Sequence, residues 1–210
     1  MSIEIRNELP SEYHEVENLV REAFWNVYQP GCSEHLILHQ FRHHDNYLKE
    51  LSKLIAVDGQ IAGQIMYSKA QLRHEVTGEL KPIAIFGPFA IAPAYQKKGL
   101  GKKLLEATLI DAKEMGLSHI LIMGDPDYYK QYGFVPARDY GVYLEGQDKA
   151  EPLDYLQIVS LQGSRDISQQ TGPWLFRVPD GYEVDDEVLE AFDQQFPPKQ
   201  KEVLAGQLGT

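Results

Sequence analysis

The chain has 210 residues, of which 43% are hydrophobic and 24% charged, enough for one domain with a sizeable core. Twenty Lys and Arg against 31 Asp and Glu leave a formal net charge of −11, which argues against a nucleic-acid partner held by phosphate neutralisation. That balance serves solubility first and a cationic partner, such as an amine, second. A single cysteine, Cys32, excludes an intrachain disulfide and fits a reducing compartment.

Residues 1–6 lack the apolar core of a signal peptide, and no apolar run approaches the roughly 20 residues that span a bilayer. The expectation is a cytoplasmic protein with neither membrane nor nucleic-acid partner. Residues 3–6 alternate as a half-buried strand. Pro10, Ser11 and Glu12 start a helix whose buried face is Val16, Leu19, Val20, Ala23 and Phe24. Ser33 is a candidate N-cap for a second helix over 33–44. His35, His39 and His43 share one face of it, and a polar, partly exposed face is the simpler reading than a metal site. No metal is expected.

Runs at 52–57 and 60–67 flank Asp58-Gly59, a two-residue hairpin signal. Residues 72–80 read as a polar loop. The nearly continuous apolar run at 83–91 predicts a strand buried on both faces and interrupted at Gly87-Pro88, because proline cannot donate to a ladder. A glycine-punctuated turn follows, Gln96-Lys97-Lys98-Gly99-Leu100-Gly101, and then an amphipathic helix to about Met115. Its apolar face is Leu104, Leu105, Thr108, Ala112 and Met115, with Gly116 as the stop. Strand, turn and helix in that order leave N–H groups unpaired at a positive helix end, and four lysines (97, 98, 102, 103) cluster there in an acidic chain. The stretch reads as a pyrophosphate cradle. It is not a nucleotide-triphosphate loop, since Gly101-Lys102 is followed by Lys103 and not Ser or Thr.

Residues 118–123 predict the parallel neighbour of the central strand. Asp125 caps a short helix over 126–132, closed by Gly133. Strands at 140–144 and 155–161 would form an antiparallel hairpin. The tail reads as a loop over 163–171, a short strand near Trp174, and a helix over 185–196 with apolar Val188, Leu189, Phe192 and Phe196. Residues 206–210 should fray.

The glycine turn, preceded by Gly-Pro-Phe-Ala-Ile, together with Tyr129-Lys130-Gln131-Tyr132-Gly133-Phe134 downstream, resembles the GNAT superfamily of acetyl-CoA-dependent N-acetyltransferases over residues 3–162. The resemblance implies an α/β (α+β) fold, a mixed, V-splayed central sheet with helices on both faces. It implies a domain over 1–162; residues 163–210, which the resemblance does not reach, read as an extension packed on or beside it. It implies acetyl-CoA as cosubstrate and an amine acceptor. Phe89, Ala90 and Ile91 would bond the pantetheine arm through their main chain. Gln96, Lys97, Lys98, Gly99, Leu100, Gly101 and Lys102 would hold the pyrophosphate, and Tyr129 would contact the cofactor and protonate the departing thiolate.

The base is open among Glu22, His39, His43, Glu79 and Asp125; Glu79, just before the central strand, is the one carried forward. Cys32 is not needed as a nucleophile. A catalytically silent CoA-binding module is the alternative. The tail covers the substrate cleft, makes a homodimer contact or pads the core, with padding the default.

Overall fold

The computed structural model describes residues 2–163, 167 and 172–207. It holds a nine-stranded, mostly antiparallel sheet with flanking helices, in the order β1-β2-β3-β4-β5-β8-β6, and β9 joins β3 to β7. The chain falls into two compact units. The first is Met1–Met66, Gly87–Thr108 and Asp180–Thr210; the second is Tyr67–Phe86 and Leu109–Pro179.

In the first unit, β1 (Ile3–Arg6) pairs antiparallel with β2 (Lys53–Val57), which pairs with the start of β3 (Gln60–His74). Asp58 and Gly59 both take positive φ (49° and 83°), so the hairpin turn is the one their chemistry calls for. α1 (Tyr13–Phe24) and α2 (Glu34–Phe41) bury Val16, Val20, Leu38 and Phe41 against Leu54, Met66 and Ala90, the last from β4 (Leu80–Ile91). α2 ends at Phe41, three residues short of the predicted 44, and Ser33 makes no side-chain cap.

From Asp180 onward the tail belongs to this unit. α5 (Asp186–Asp193) is capped by the Asp185 carboxylate, which accepts from the Val188 N–H at 3.0 Å. Phe192 and Phe196 close over Leu36, whereas Val188, expected on the buried face, is 48% exposed. Expected to fray, Gln207 is instead buried, and its amide donates to the Asn26 and Glu202 carbonyls.

His35 departs furthest from its reading. It is fully buried, with its ring on Phe192 and Phe196, and its Nε2 lies 3.2 Å from Asp193 Oδ1. Arg21, also fully buried, donates through Nε and Nη2 to both Asp193 oxygens (2.6 and 3.0 Å) and through Nη1 to the Pro197 carbonyl (3.0 Å). Helical spacing shows that a residue shares a face; it does not show which distant segment will cover that face.

In the second unit, β3 continues to His74, and Leu72 is fully buried, so the loop predicted at 72–80 shrinks to a turn at 75–79. β4 pairs in parallel with β5 (His119–Met123) at Ala84↔Ile120 and Ile85↔Leu121. β8 (Leu156–Ser160) runs antiparallel to β5 and also to β6 (Val135–Pro136). The predicted hairpin of 140–144 with 155–161 does not form. β7 (Val142–Leu144) pairs in parallel with β9 (Trp174–Phe176), and β9 pairs antiparallel with β3. α3 (Leu100–Glu114), whose residues to Thr108 belong to the first unit, buries Leu104, Leu105, Thr108 and Ala112 as expected, but Met115, beyond its end, is 47% exposed. Gly116 (φ 84°) stops it, donating to Lys113 O, and the Leu117 N–H reaches Ala112 O. The loop predicted at 163–171 lies largely outside the described residues.

Candidate functional site

Apolar β4 ends at Ile91, and Pro93–Tyr95 form one turn of 3-10 helix before the chain opens at Gln96. Gln96 Nε2 donates back to the Ile91 carbonyl at 3.0 Å and ties the turn to the strand it left. Tyr95 donates to Gln60 Oε1 at 2.7 Å, anchoring the same turn to β3. Lys97 takes φ 58° and Gly99 φ 78°. Left-handed residues in a turn are how main-chain N–H groups come to face one side as an anion-binding concavity. A Cβ built on Gly99 meets nothing within 4 Å, so the glycine serves the backbone conformation and an open approach from outside.

The first hydrogen bond of α3 is from the Lys103 N–H to Gly99 O, at 3.2 Å. Among the described residues the N–H groups of 97–102 meet no acceptor. Gln96, Lys97, Lys98 and Gly99 are exposed, Leu100 and Gly101 buried. The lysines divide. Lys98 folds back onto the Ala94 carbonyl (2.8 Å) above the Tyr95 ring, and Lys102 faces Glu106 at 3.8 Å. Lys97 and Lys103 have no acidic partner among the described residues. The turn therefore offers a run of unpaired N–H donors and two uncommitted cations, chemistry that suits a phosphate group. Of the strand residues expected to bond a pantetheine arm, Ala90 is buried and Phe89 and Ile91 are half-buried; Gln96 already uses the Ile91 carbonyl.

Tyr129 lies in the second unit, on α4 (Pro126–Tyr129). Asp125 caps that helix by accepting from the Asp127 N–H at 2.9 Å. The ring is 9% exposed, edge-on to Phe86 (5.7 Å), Phe134 (5.8 Å) and Tyr128 (4.9 Å). A Cβ at Gly124 would lie 2.6 Å from this ring, so that glycine makes the room the phenol occupies. A 3-10 turn (Lys130–Tyr132) and Gly133 (φ 85°) follow, as the Gly-Phe motif anticipates.

The base candidates are scattered. Glu79 is exposed in the turn between β3 and β4, its carbonyl accepting from the His74 N–H at 2.8 Å, and the twelve residues of β4 follow it. Glu22 pairs with Lys199 at 2.8 Å, and Asp125 is engaged as the cap. His39 Nδ1 lies 2.8 Å from Glu17 Oε1, and the same carboxylate pairs with Arg42, whose other nitrogens bind both Glu8 oxygens at 2.8 Å. His43 is exposed, 6.2 Å from the His39 ring. The Cys32 thiol is buried, and burial pushes its pKa well above the ordinary range. Among the described residues no group of three or more His, Cys, Asp or Glu is placed to hold a metal ion, and no helix is long and apolar enough to cross a membrane. Sequence reasoning missed the left-handed Lys97, which no Gly or Asn marks, and the role of Gly124. A small residue just past an apolar strand was the available signal for the second.

Residues 4–137 match the acetyltransferase (GNAT) domain model, and the chain belongs to the GNAT acetyltransferase family. Over 105 residues it is 30% identical to an uncharacterized N-acetyltransferase, YjhQ, of Escherichia coli K12. That match covers 50% of this chain and 52% of the relative, so the chain spans about half the length of the curated protein it matches. The fold is similar to that of the E. coli GNAT-family N-acetyltransferase YhbS, solved with CoA (TM-score 0.69, 21% identity, 86% of this chain and 91% of that one). It is also similar to a GNAT-family acetyltransferase of Brucella melitensis solved with acetyl-CoA (TM-score 0.64, 22% identity, 87% and 99%).

Proposed function

We propose that the protein is an N-acetyltransferase that moves an acetyl group from acetyl-CoA to a primary amine by direct attack, with both substrates bound together. The run of unpaired N–H groups at 97–102 carries this reading, because a diphosphate supplies the acceptors those donors lack. Lys97 and Lys103 add charge, and the main chain at Phe89, Ala90 and Ile91 receives the pantetheine arm.

A main-chain N–H near Ala90 or Ile91 polarises the thioester carbonyl. The neutral amine nitrogen attacks the carbonyl carbon, the C–S bond breaks, and the thiolate takes a proton from the Tyr129 hydroxyl. The amine's surplus proton leaves to a base or to solvent, and Glu79 is retained as the candidate. No enzyme-bound acyl group is needed, so Cys32 stays out of the chemistry. The net acidity of the chain suits a cationic acceptor.

The test is CoA release from acetyl-CoA across a panel of small amines and peptides. The reading expects turnover in the wild type and about a hundredfold lower kcat in Tyr129→Phe, within the range of general acid catalysis. CoA binding without turnover on any amine would leave the reaction unsupported, and absence of CoA binding would remove the whole reading.

A further inference from the structure

We propose that Tyr182, from the tail, is a positioning residue for the acyl carrier: its hydroxyl holds the Gly87-Pro88 step of β4 in the geometry that presents Phe89, Ala90 and Ile91. The inference rests on the function proposed above and extends it to a residue far from both motifs.

The interruption expected at Gly87-Pro88 does not occur: β4 runs unbroken from Leu80 to Ile91, although Gly87 takes φ 144° and Pro88 has no N–H to offer. Two side chains take up the carbonyl of the Gly87-Pro88 peptide and the carbonyl of the next one. Tyr182 Oη donates to Gly87 O at 2.9 Å, and Gln64 Nε2 donates to Pro88 O at 3.0 Å. Gln64 comes from β3 and is 3% exposed; Tyr182 comes from 95 residues further along the chain. The Tyr182 ring stands edge-on to Phe41 with centroids 4.7 Å apart, in the cluster that also contains Ala90.

The neighbouring Gly181 lies so close to Phe41 that a Cβ there would come within 2.6 Å of its ring, so the tail is seated directly on that side chain. Packing thus aims the hydroxyl. A phenylalanine at 182 would fill the same space against Phe41, and what the oxygen adds is a hold on the Gly87 carbonyl. The peptide planes that follow are those assigned to the pantetheine arm.

The experiment compares wild type with Tyr182→Phe for two ligands by calorimetry: CoA, and 3′-phosphoadenosine 5′-diphosphate, which carries the nucleotide without pantetheine. A single hydrogen bond of ordinary strength corresponds to about a five- to tenfold change. Tyr182→Phe is expected to lose about that factor for CoA, to keep wild-type affinity for the nucleotide alone, and to lower kcat with acetyl-CoA while its urea midpoint stays put. Gln64→Met should give the same pattern from the adjacent carbonyl, and it carries the test if Tyr182→Phe fails to fold.

Unchanged CoA affinity and turnover would overturn the positioning role. An equal loss for both ligands would also overturn it, as a general structural effect. Failure of the underlying reading appears differently: the wild type itself then binds neither ligand, and the role assigned to Tyr182 falls with it.

Discussion

Two places in the first unit gather charge, and they treat it in opposite ways. Around Arg21, a guanidinium fully out of solvent finds both oxygens of Asp193 and a carbonyl, with His35 beside it and aromatic rings around it. Around Gly99, lysines stand in solvent and consecutive N–H groups meet no acceptor among the described residues. A buried donor left unpaired costs the full desolvation of that group, so the Arg21 guanidinium has its Nε, Nη1 and Nη2 all engaged and acts on the fold. The exposed donors of Lys97, Lys98, Gly99 and Lys102 can wait for a partner at little cost, unlike a buried one.

This contrast is open to attack from both sides. The largest expected effect is on the buried side. Arg21→Met strands the Asp193 carboxylate beside Phe192 and should cost about 3 kcal/mol of stability, the low end for breaking a buried pair because Asp193 is partly exposed. Urea unfolding measures it, and CoA affinity of the folded fraction should stay within about twofold.

Next comes the exposed side. Gly99→Glu places a carboxylate at the turn proposed to hold the diphosphate and forces a side chain onto φ 78°. CoA affinity should fall at least about tenfold, while stability drops by only about 1 kcal/mol for the left-handed backbone. If Gly99→Glu bound CoA normally, the turn would be an ordinary solvated surface.

A third test uses pH. Burial lowers the His35 pKa to about 4, with Arg21 adding to the shift and Asp193 opposing it. The unfolded histidine takes its proton near 6.5, so its contribution is complete above that value and drains away as pH falls toward 4. Burial of Asp193 favours its neutral acid, but the hydrogen bonds and charge of Arg21, with His35 and Lys201, outweigh this and hold its pKa below the usual carboxylate value. Its contribution is likewise present above the ordinary carboxylate range and is lost below it. The urea midpoint should therefore decline between pH 7 and 4.5, and less so in His35→Gln; a flat profile would remove His35 from the Arg21–Asp193 cluster.

The smallest effect is expected at Glu79→Gln. The side chain is exposed in a turn and solvent can take the same proton, so loss of this candidate base should lower turnover by only about threefold, and unchanged turnover would remove Glu79 as the base.

Features written in a few adjacent residues could be read before any coordinates. The Asp58-Gly59 turn, the glycine turn into α3, the Asp125 cap and the Gly133 stop each follow from chemistry local to the chain. What stayed hidden depends on partners far away. Arg21 meets Asp193 across 172 positions, and nothing near Arg21 announces that its face will be covered. β7 found β9 and not β8, because three-residue strands carry too little pattern to select a neighbour. Residues 72–80 looked like a loop because the stretch is polar and holds Gly78, yet its first residues alternate as a strand with one buried face does. At the candidate site the donors of the turn were legible, whereas the Tyr182 and Gln64 contacts on β4 were not.

The chain's two tryptophans fall one in each unit. Trp174 is 1% exposed, its indole N–H on the Ile167 carbonyl at 3.2 Å. Trp25 is half-buried beneath the Arg21 guanidinium (4.2 Å), its N–H tied to the Gln200 carbonyl of the tail at 2.9 Å. Nature has in effect supplied two fluorophores with separate addresses. Replacing either with phenylalanine yields a single-emitter protein, and a red shift confined to Trp25 would time the release of the C-terminal segment independently of the rest.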